Sequence, residues 1–183
     1  MEIPKILLEK ADEITARLEE KYPQLAPFFK GCFLNTIETT VKKLSDGSYF
    51  VITGDIPAMW LRDSAAQVKP YIRYANEDED LKTILKSIIE KHAFYVCLDP
   101  YSNAFNSEAN PDSAKDETDF YHELIWERKY EVDSLCASIY LSHQYYVQTQ
   151  DASIFTEDFY NMIKKIGNLL FPLSFSITAY LEK

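Results

Sequence analysis

The chain has 183 residues, 46% of them hydrophobic and 14% aromatic, which suffices for one domain with a sizeable core. A formal net charge of -10 and a pI near 4.8 argue against a nucleic-acid backbone or an anionic membrane surface as partner, because either would be repelled, and favour a neutral ligand. Cys32, Cys97 and Cys136 are odd in number and lack paired spacing, no basic-then-apolar leader follows Met1, and no run approaches the ~18 apolar residues of a membrane span, so a cytoplasmic protein without disulfides is expected.

Ile3, Leu7, Ala11, Ile14 and Leu18 recur at helical spacing between charged residues and predict a first amphipathic helix that ends before Pro23. Pro27 can open a second helix carrying Phe28, Phe29, Phe33 and Ile37. Thr39 to Leu44 and Tyr49 to Ile52 flank Ser45-Asp-Gly-Ser48, the pattern of a β-hairpin. Ala65, Val68, Tyr71, Ile72 and Ala75 form the next helical face, with Asp63 or Ser64 as its cap. After the acidic start Asp78-Glu-Asp80, Leu81, Ile84, Leu85, Ile88 and Ile89 mark a strong helix running to about Tyr95. Leu98 to Glu123 shows neither helical nor alternating periodicity and reads as a long loop, functional in its aromatic-polar first third and solvated in the acidic stretch Asp112 to Asp119. Leu135, Ile139, Tyr140, His143, Tyr146 and Val147 give a further helical face, as do Phe155, Phe159, Met162, Ile163, Ile166 and Leu170. About six helices and one hairpin are expected.

Between hairpin and helix lies Thr53-Gly-Asp-Ile-Pro-Ala-Met-Trp-Leu-Arg-Asp-Ser-Ala-Ala-Gln-Val68, where carboxylates, an arginine and a tryptophan crowd together. Gly54 and Pro57 break the strand signal, which places Trp60 to Asp63 on a loop leading into the helix. Arg62 offers a fixed fork of donors, Asp55 and Asp63 accept from hydroxyl pairs, and Trp60 presents a flat apolar face to the C–H side of a ring. Such a mixture suits a polyhydroxylated ligand. Arg62 could instead pair with Asp55 or Asp63 merely to stitch the loop, with Trp60 in the core.

This run, with Tyr101-Ser-Asn-Ala-Phe-Asn106 and Trp126-Glu-Arg-Lys-Tyr-Glu-Val-Asp-Ser-Leu-Cys136 in the same order, resembles glycoside hydrolase family 125, the metal-independent exo-α-1,6-mannosidases. The likeness covers roughly residues 1 to 150, and residues 151–183 look divergent. It implies an (α/α)6 toroid, of which about six helices form the N-terminal half, and an inverting reaction without metal or cofactor. It further implies that Arg62 and Asp63 hold hydroxyls of a terminal mannose. Trp60 shapes the wall, Asp55, Asn103 and Asn106 add donors and acceptors, and Glu131 and Asp133 complete the cradle. The implied ligand is a mannose-containing oligosaccharide or N-glycan fragment.

Glycoside hydrolysis needs a carboxylic acid of raised pKa and a second carboxylate. Asp55, Asp63, Glu127, Glu131 and Asp133 are available, yet spacing assigns none of them, and the resemblance puts acid and base beyond Lys183. The chain therefore reads as a truncated form carrying part of the substrate site. Half a toroid leaves inner helical faces bare, and with the apolar tail Leu169 to Tyr180 this predicts self-association. The alternatives are an interaction-only remnant, or another (α/α)6 glycosidase such as a glucoamylase-like enzyme. For Asp133 and Ser134 a helix N-cap competes with a role in binding.

Other motifs are weak. His92, His122 and His143 with Cys97 and Cys136 have no zinc spacing, and Asp112 to Asp119 lacks the central glycine and final glutamate of a calcium loop. Ser64 and Ser134 lack the surroundings of a nucleophile elbow.

Overall fold

The computed structural model describes residues 2–110 and 120–181, with side chains through Phe171; the acidic stretch Asp112 to Asp119 and the apolar side chains after Phe171 lie outside the described residues. Six α-helices lie among the described residues: α1 (Lys5–Lys21), α2 (Ala26–Asn35), α3 (Leu61–Ile72), α4 (Glu79–Leu98), α5 (Val132–Thr149) and α6 (Glu157–Leu181). They pack in layers. α3 lies against α5 in one layer and α4 against α6 in the next, with α4 touching both α3 and α5. α1 and α2 form a further pair.

Local chemistry sets the ends of these helices. Asp78 caps α4 by accepting from the Leu81 N–H at 2.9 Å, and its other oxygen accepts from the Ile6 N–H at 3.3 Å in the first turn of α1. One carboxylate thus ties two helix starts together. α2 has Pro27 in its first turn as expected, but Phe28 points to solvent while Phe33 packs edge-on to Tyr71 and Tyr74. The chain then widens into a π-helical turn over Thr36–Thr40 before strand β1 (Val41–Lys43).

β1 pairs antiparallel with β2 (Tyr49–Val51), which gives the predicted hairpin; Gly47 takes a left-handed φ of 85° in the connection. A second sheet was not expected. β3 (Ala58–Trp60), β4 (Ala104–Asn106) and β5 (Ile125–Glu127) form it in the order β3-β4-β5, antiparallel throughout. The presumed long loop therefore contains the central strand of a sheet. Phe105 in that strand is fully buried and stacks on Tyr95 of α4 with ring centroids 4.4 Å apart. The Tyr95 hydroxyl donates to the Asn106 carbonyl at 2.7 Å.

α5 keeps part of its predicted face, with Leu135 buried and Ile139 and Tyr146 packed against the core, and departs from the rest. Tyr140, His143 and Val147 are exposed, and the buried stripe is Ser134, Leu135, Ser138, Leu141, Ser142 and Tyr145. The Ser142 hydroxyl donates to the Ser138 carbonyl one turn back at 2.9 Å, so a polar residue enters the core without an unpaired group.

His92 of α4 is buried where α3, α4 and α5 meet, and burial lowers its pKa from 6.5 to about 3. In the unfolded chain the imidazole takes up a proton below 6.5, while the folded chain refuses it until about 3. Stability is therefore complete above pH 6.5 and falls with pH below it, by up to about 1.4 kcal/mol per unit. Urea unfolding at pH 7 and pH 5 is expected to differ by about 2 kcal/mol, and His92→Phe is expected to remove most of that difference. Equal midpoints for the unsubstituted chain at the two pH values would mean that His92 is not held neutral. Among the described residues no helix is long and apolar enough to cross a membrane.

Candidate functional site

Two helix starts and one sheet row build the candidate site. β3 runs straight into α3, with Trp60 at the junction. Neither Asp63 nor Ser64 is the cap of α3. The Leu61 N–H instead donates to the carbonyl of Asn103, the residue before β4, at 3.1 Å, so the edge of the sheet satisfies the helix end and no loop intervenes. Ser64 turns inward and donates to the Leu61 carbonyl at 3.1 Å. At α5 the cap position is Glu131, without a side-chain cap bond, and Asp133 and Ser134 lie in the first turn.

Because α3 and α5 pack side by side, Arg62 in the first turn of α3 meets the start of α5. Its Nη1 lies 2.7 Å from Asp133 Oδ2 and 3.4 Å from Glu131 Oε2, and its Nη2 lies 3.6 Å from Asp63 Oδ2. Hydrogen bonding from Arg62 holds Asp133 below the usual carboxylate range, and Asp133 in turn raises the pKa of Arg62. Three carboxylates around one guanidinium leave a negative surplus, which the two helix N-termini favour. Glu131 is further fixed by the Ser134 hydroxyl, which donates to its Oε2 at 2.8 Å.

A second group flanks this cluster. The sheet register puts Trp60, Ala104 and Glu127 in one row, and an irregularity between Ala104 and Phe105 lets Glu127 reach that row. Glu127 accepts from the Asn103 amide at 2.7 Å and from Lys129 Nζ at 2.6 Å, with the Trp60 indole as a further donor. Burial pushes the Glu127 pKa up, but these donors outweigh it and the net shift is downward. Neither Glu127 nor Asp133 has the raised pKa of a glycosidic acid; both are held ionised, as acceptors.

Of the predicted residues, Arg62, Asp63, Glu131 and Asp133 come together, while the Trp60 indole, two residues before Arg62, bonds Glu127. Asp55 stands apart on the exposed loop between β2 and β3 and has no side-chain partner among the described residues. Asn103 and Asn106 are buried, and their amide hydrogens go to Glu127 Oε2 and to the Glu123 carbonyl at 2.8 Å. They brace the sheet rather than open onto the cluster. Lys129 was not anticipated, since its role depends on a strand pairing that no local pattern announces. Ser64 does meet a histidine, with His92 Nε2 at 2.9 Å, but both are buried and the third partner is Ser138, so no hydrolytic triad results. No group of three or more His, Cys, Asp or Glu side chains is placed to hold a metal among the described residues. A groove of about 440 Å³ lined by Lys5, Lys42, Tyr49 and Asp80 shares no residue with the cluster.

Residues 22–176 match the sequence profile of the metal-independent alpha-mannosidases, GH125. The Meiotically up-regulated gene 157 protein of Schizosaccharomyces pombe is 33% identical over 178 residues, which is 91% of this chain and 35% of that protein. A solved metal-independent alpha mannosidase from Streptococcus pneumoniae, in a non-productive complex with alpha-1,6-mannobiose, is 42% identical with a TM-score of 0.84, over 90% of this chain and 39% of that one. The chain thus spans little more than a third of the length of either relative. Its layered helices are an incomplete (α/α)6 toroid, and the chain belongs to the GH125 family of metal-independent alpha-mannosidases.

Proposed function

We propose that this chain carries the mannose-binding part of an exo-acting, inverting α-1,6-mannosidase and not its acid and base. The observation that carries the reading is the Arg62 guanidinium set among Asp63, Glu131 and Asp133 at two helix starts, with Trp60 two residues earlier at the start of α3. Hydroxyl hydrogens of a sugar would be accepted by the carboxylates, ring or hydroxyl oxygens would accept from Arg62, and Trp60 would take the C–H face. The negative surplus disfavours phosphorylated or carboxylated ligands and leaves a neutral hexose. The α-1,6 preference follows the S. pneumoniae relative, whose complex holds alpha-1,6-mannobiose. That neither Glu127 nor Asp133 is the acid draws on their downward shifts, since an acid for the leaving oxygen needs the opposite shift.

We place the protein in a reducing cytoplasm, in keeping with the free thiols Cys32, Cys97 and Cys136. We also propose self-association through exposed Tyr140, Val147, Tyr160 and Phe171, for which a solution mass above 21.3 kDa is the check.

The test is turnover of α-1,6-mannobiose followed by NMR of the released anomer, for this chain alone and for the chain joined to the remaining segment of a family relative. The chain alone is expected to bind without turnover, the joined protein to release inverted mannose, and EDTA to change neither. Turnover by the chain alone would place acid and base among residues 1 to 183. Activity lost on EDTA treatment and restored by a metal would overturn the metal-free reading.

A further inference from the structure

Below the cradle lies a buried polar network that ligand binding does not require. His92 is 1% exposed and sits on the inward face of α4 between Ile88, Ile89 and Val96. Its Nε2 lies 2.9 Å from the Ser64 hydroxyl of α3, and its Nδ1 lies 2.9 Å from the Ser138 hydroxyl of α5. Both serines continue upward. Ser64 Oγ donates to the carbonyl of Leu61, the residue before Arg62, at 3.1 Å. Ser138 lies one turn below Ser134, whose own hydroxyl donates to Glu131 at 2.8 Å.

Held neutral by burial, the imidazole has one N–H and one acceptor nitrogen. Each serine also has a carbonyl of its own helix within reach, Leu61 for Ser64 at 3.1 Å and Ser134 for Ser138 at 3.3 Å. The ring N–H donates to one serine, which passes its own hydrogen to its helix carbonyl, and the other serine donates to the remaining ring nitrogen, so either tautomer satisfies both ring nitrogens. The buried residues of α3 and α5 include the small Ser64 and Ala65 on one helix and Ser134, Ser138 and Ser142 on the other, beside Leu61, Val68, Leu135 and Leu141, and small side chains interlock little. A directional link between the two helices therefore counts for more than it would in a leucine-rich contact.

We propose that His92 is a positioning residue of the mannose cradle: by linking Ser64 to Ser138 it fixes α3 against α5, and so sets the separation at which Arg62 meets Glu131 and Asp133. Its consequence for sugar binding rests on the function proposed above; its geometric content does not. Asp133 at 2.7 Å and Glu131 at 3.4 Å share one nitrogen, Nη1, and that shared contact is lost when one helix slides by a fraction of a turn.

The test uses His92→Phe, which keeps a ring in the site and leaves each serine an intrahelical carbonyl to bond, with Ser138→Ala as a second route that cuts only the α5 side. Two readouts are taken at neutral pH on protein shown by circular dichroism to be folded. The first is the separation of the Arg62 15Nη signals, which resolve when a carboxylate hinders rotation of the guanidinium. The second is mannose affinity. In the unsubstituted chain the signals are expected to be resolved; in folded His92→Phe or Ser138→Ala they are expected to average, and affinity to weaken about 10-fold. His92→Gln, which restores one donor and one acceptor, is expected to recover part of both. Arg62 signals that stay resolved in a folded variant of either kind overturn the proposal. If the unsubstituted chain fails to bind mannose, the sugar reading falls, and the Arg62 signals still decide whether His92 sets the geometry.

Discussion

Arg62→Ala is expected to weaken mannose binding by about 10- to 150-fold, the equivalent of the roughly 1.5–3 kcal/mol carried by a hydrogen bond to a charged group. The loss has two sources. The sugar forfeits a charged donor, and Asp63, Glu131 and Asp133 are left facing one another without the cation that offsets them. Arg62→Lys is expected to recover little, because one ammonium cannot reproduce the planar fork that reaches Asp133 and Glu131 through Nη1 and Asp63 through Nη2. Stability is expected to change by less than about 1 kcal/mol, since Arg62 is 43% and Asp133 59% exposed and such pairs are screened by water. The two effects can thus be separated by calorimetric titration and urea unfolding of the same variant. Unchanged affinity in a folded Arg62→Ala protein would remove the arginine from the site.

Phe105→Ala is expected to cost about 3–5 kcal/mol, the largest stability loss from a single side chain outside the helices. Phe105 has no exposed surface, lies in the central strand between β3 and β5, and stacks on Tyr95 with an interplanar angle of 8°. Removing the ring leaves a cavity beneath the row that aligns Trp60 with Glu127, so the cavity and the site share a support. Urea unfolding is expected to show a lower midpoint with an unchanged slope. A loss below about 1 kcal/mol would mean that the sheet collapses onto α4 without the aromatic pair.

That sheet was also the least legible part of the chain. Each of its strands is three residues long, too short to show alternation, and the partners come from distant segments, so Ala104-Phe105-Asn106 carried no local sign of being a central strand. The helices were readable where their buried faces are apolar. Leu81, Ile84, Leu85, Ile88 and Ile89 placed α4, and Asp78 marked its start. α5 misled because half of its buried stripe is serine: counting Tyr140 and Val147 in the apolar face rotates the helix away from its true contact. Ser134, Ser138 and Ser142 at four-residue spacing, with His92 four residues after Ile88 on the inward face of α4, were the available signal.

The site was legible through its unusual mixture of residues at a helix start, which singled out Trp60, Arg62 and Asp63. Glu131 and Asp133 came from the resemblance of their segment, and the helix packing explains why they belong with Arg62. Asn103 and Asn106 illustrate the limit of residue type as a guide. An amide in a polar, aromatic segment can face a ligand or brace a strand, and burial decides between them.

The most direct measurement of the central claim is a titration of the isotope-labelled chain with mannose and α-1,6-mannobiose, following backbone and side-chain N–H signals. Saturable shifts concentrated on the Trp60 indole, Arg62, Glu131 and Asp133, and absent for Lys42 and Tyr49 in the distant groove, are the predicted result. No saturable shift with either sugar, or shifts confined to residues away from the starts of α3 and α5, would contradict it.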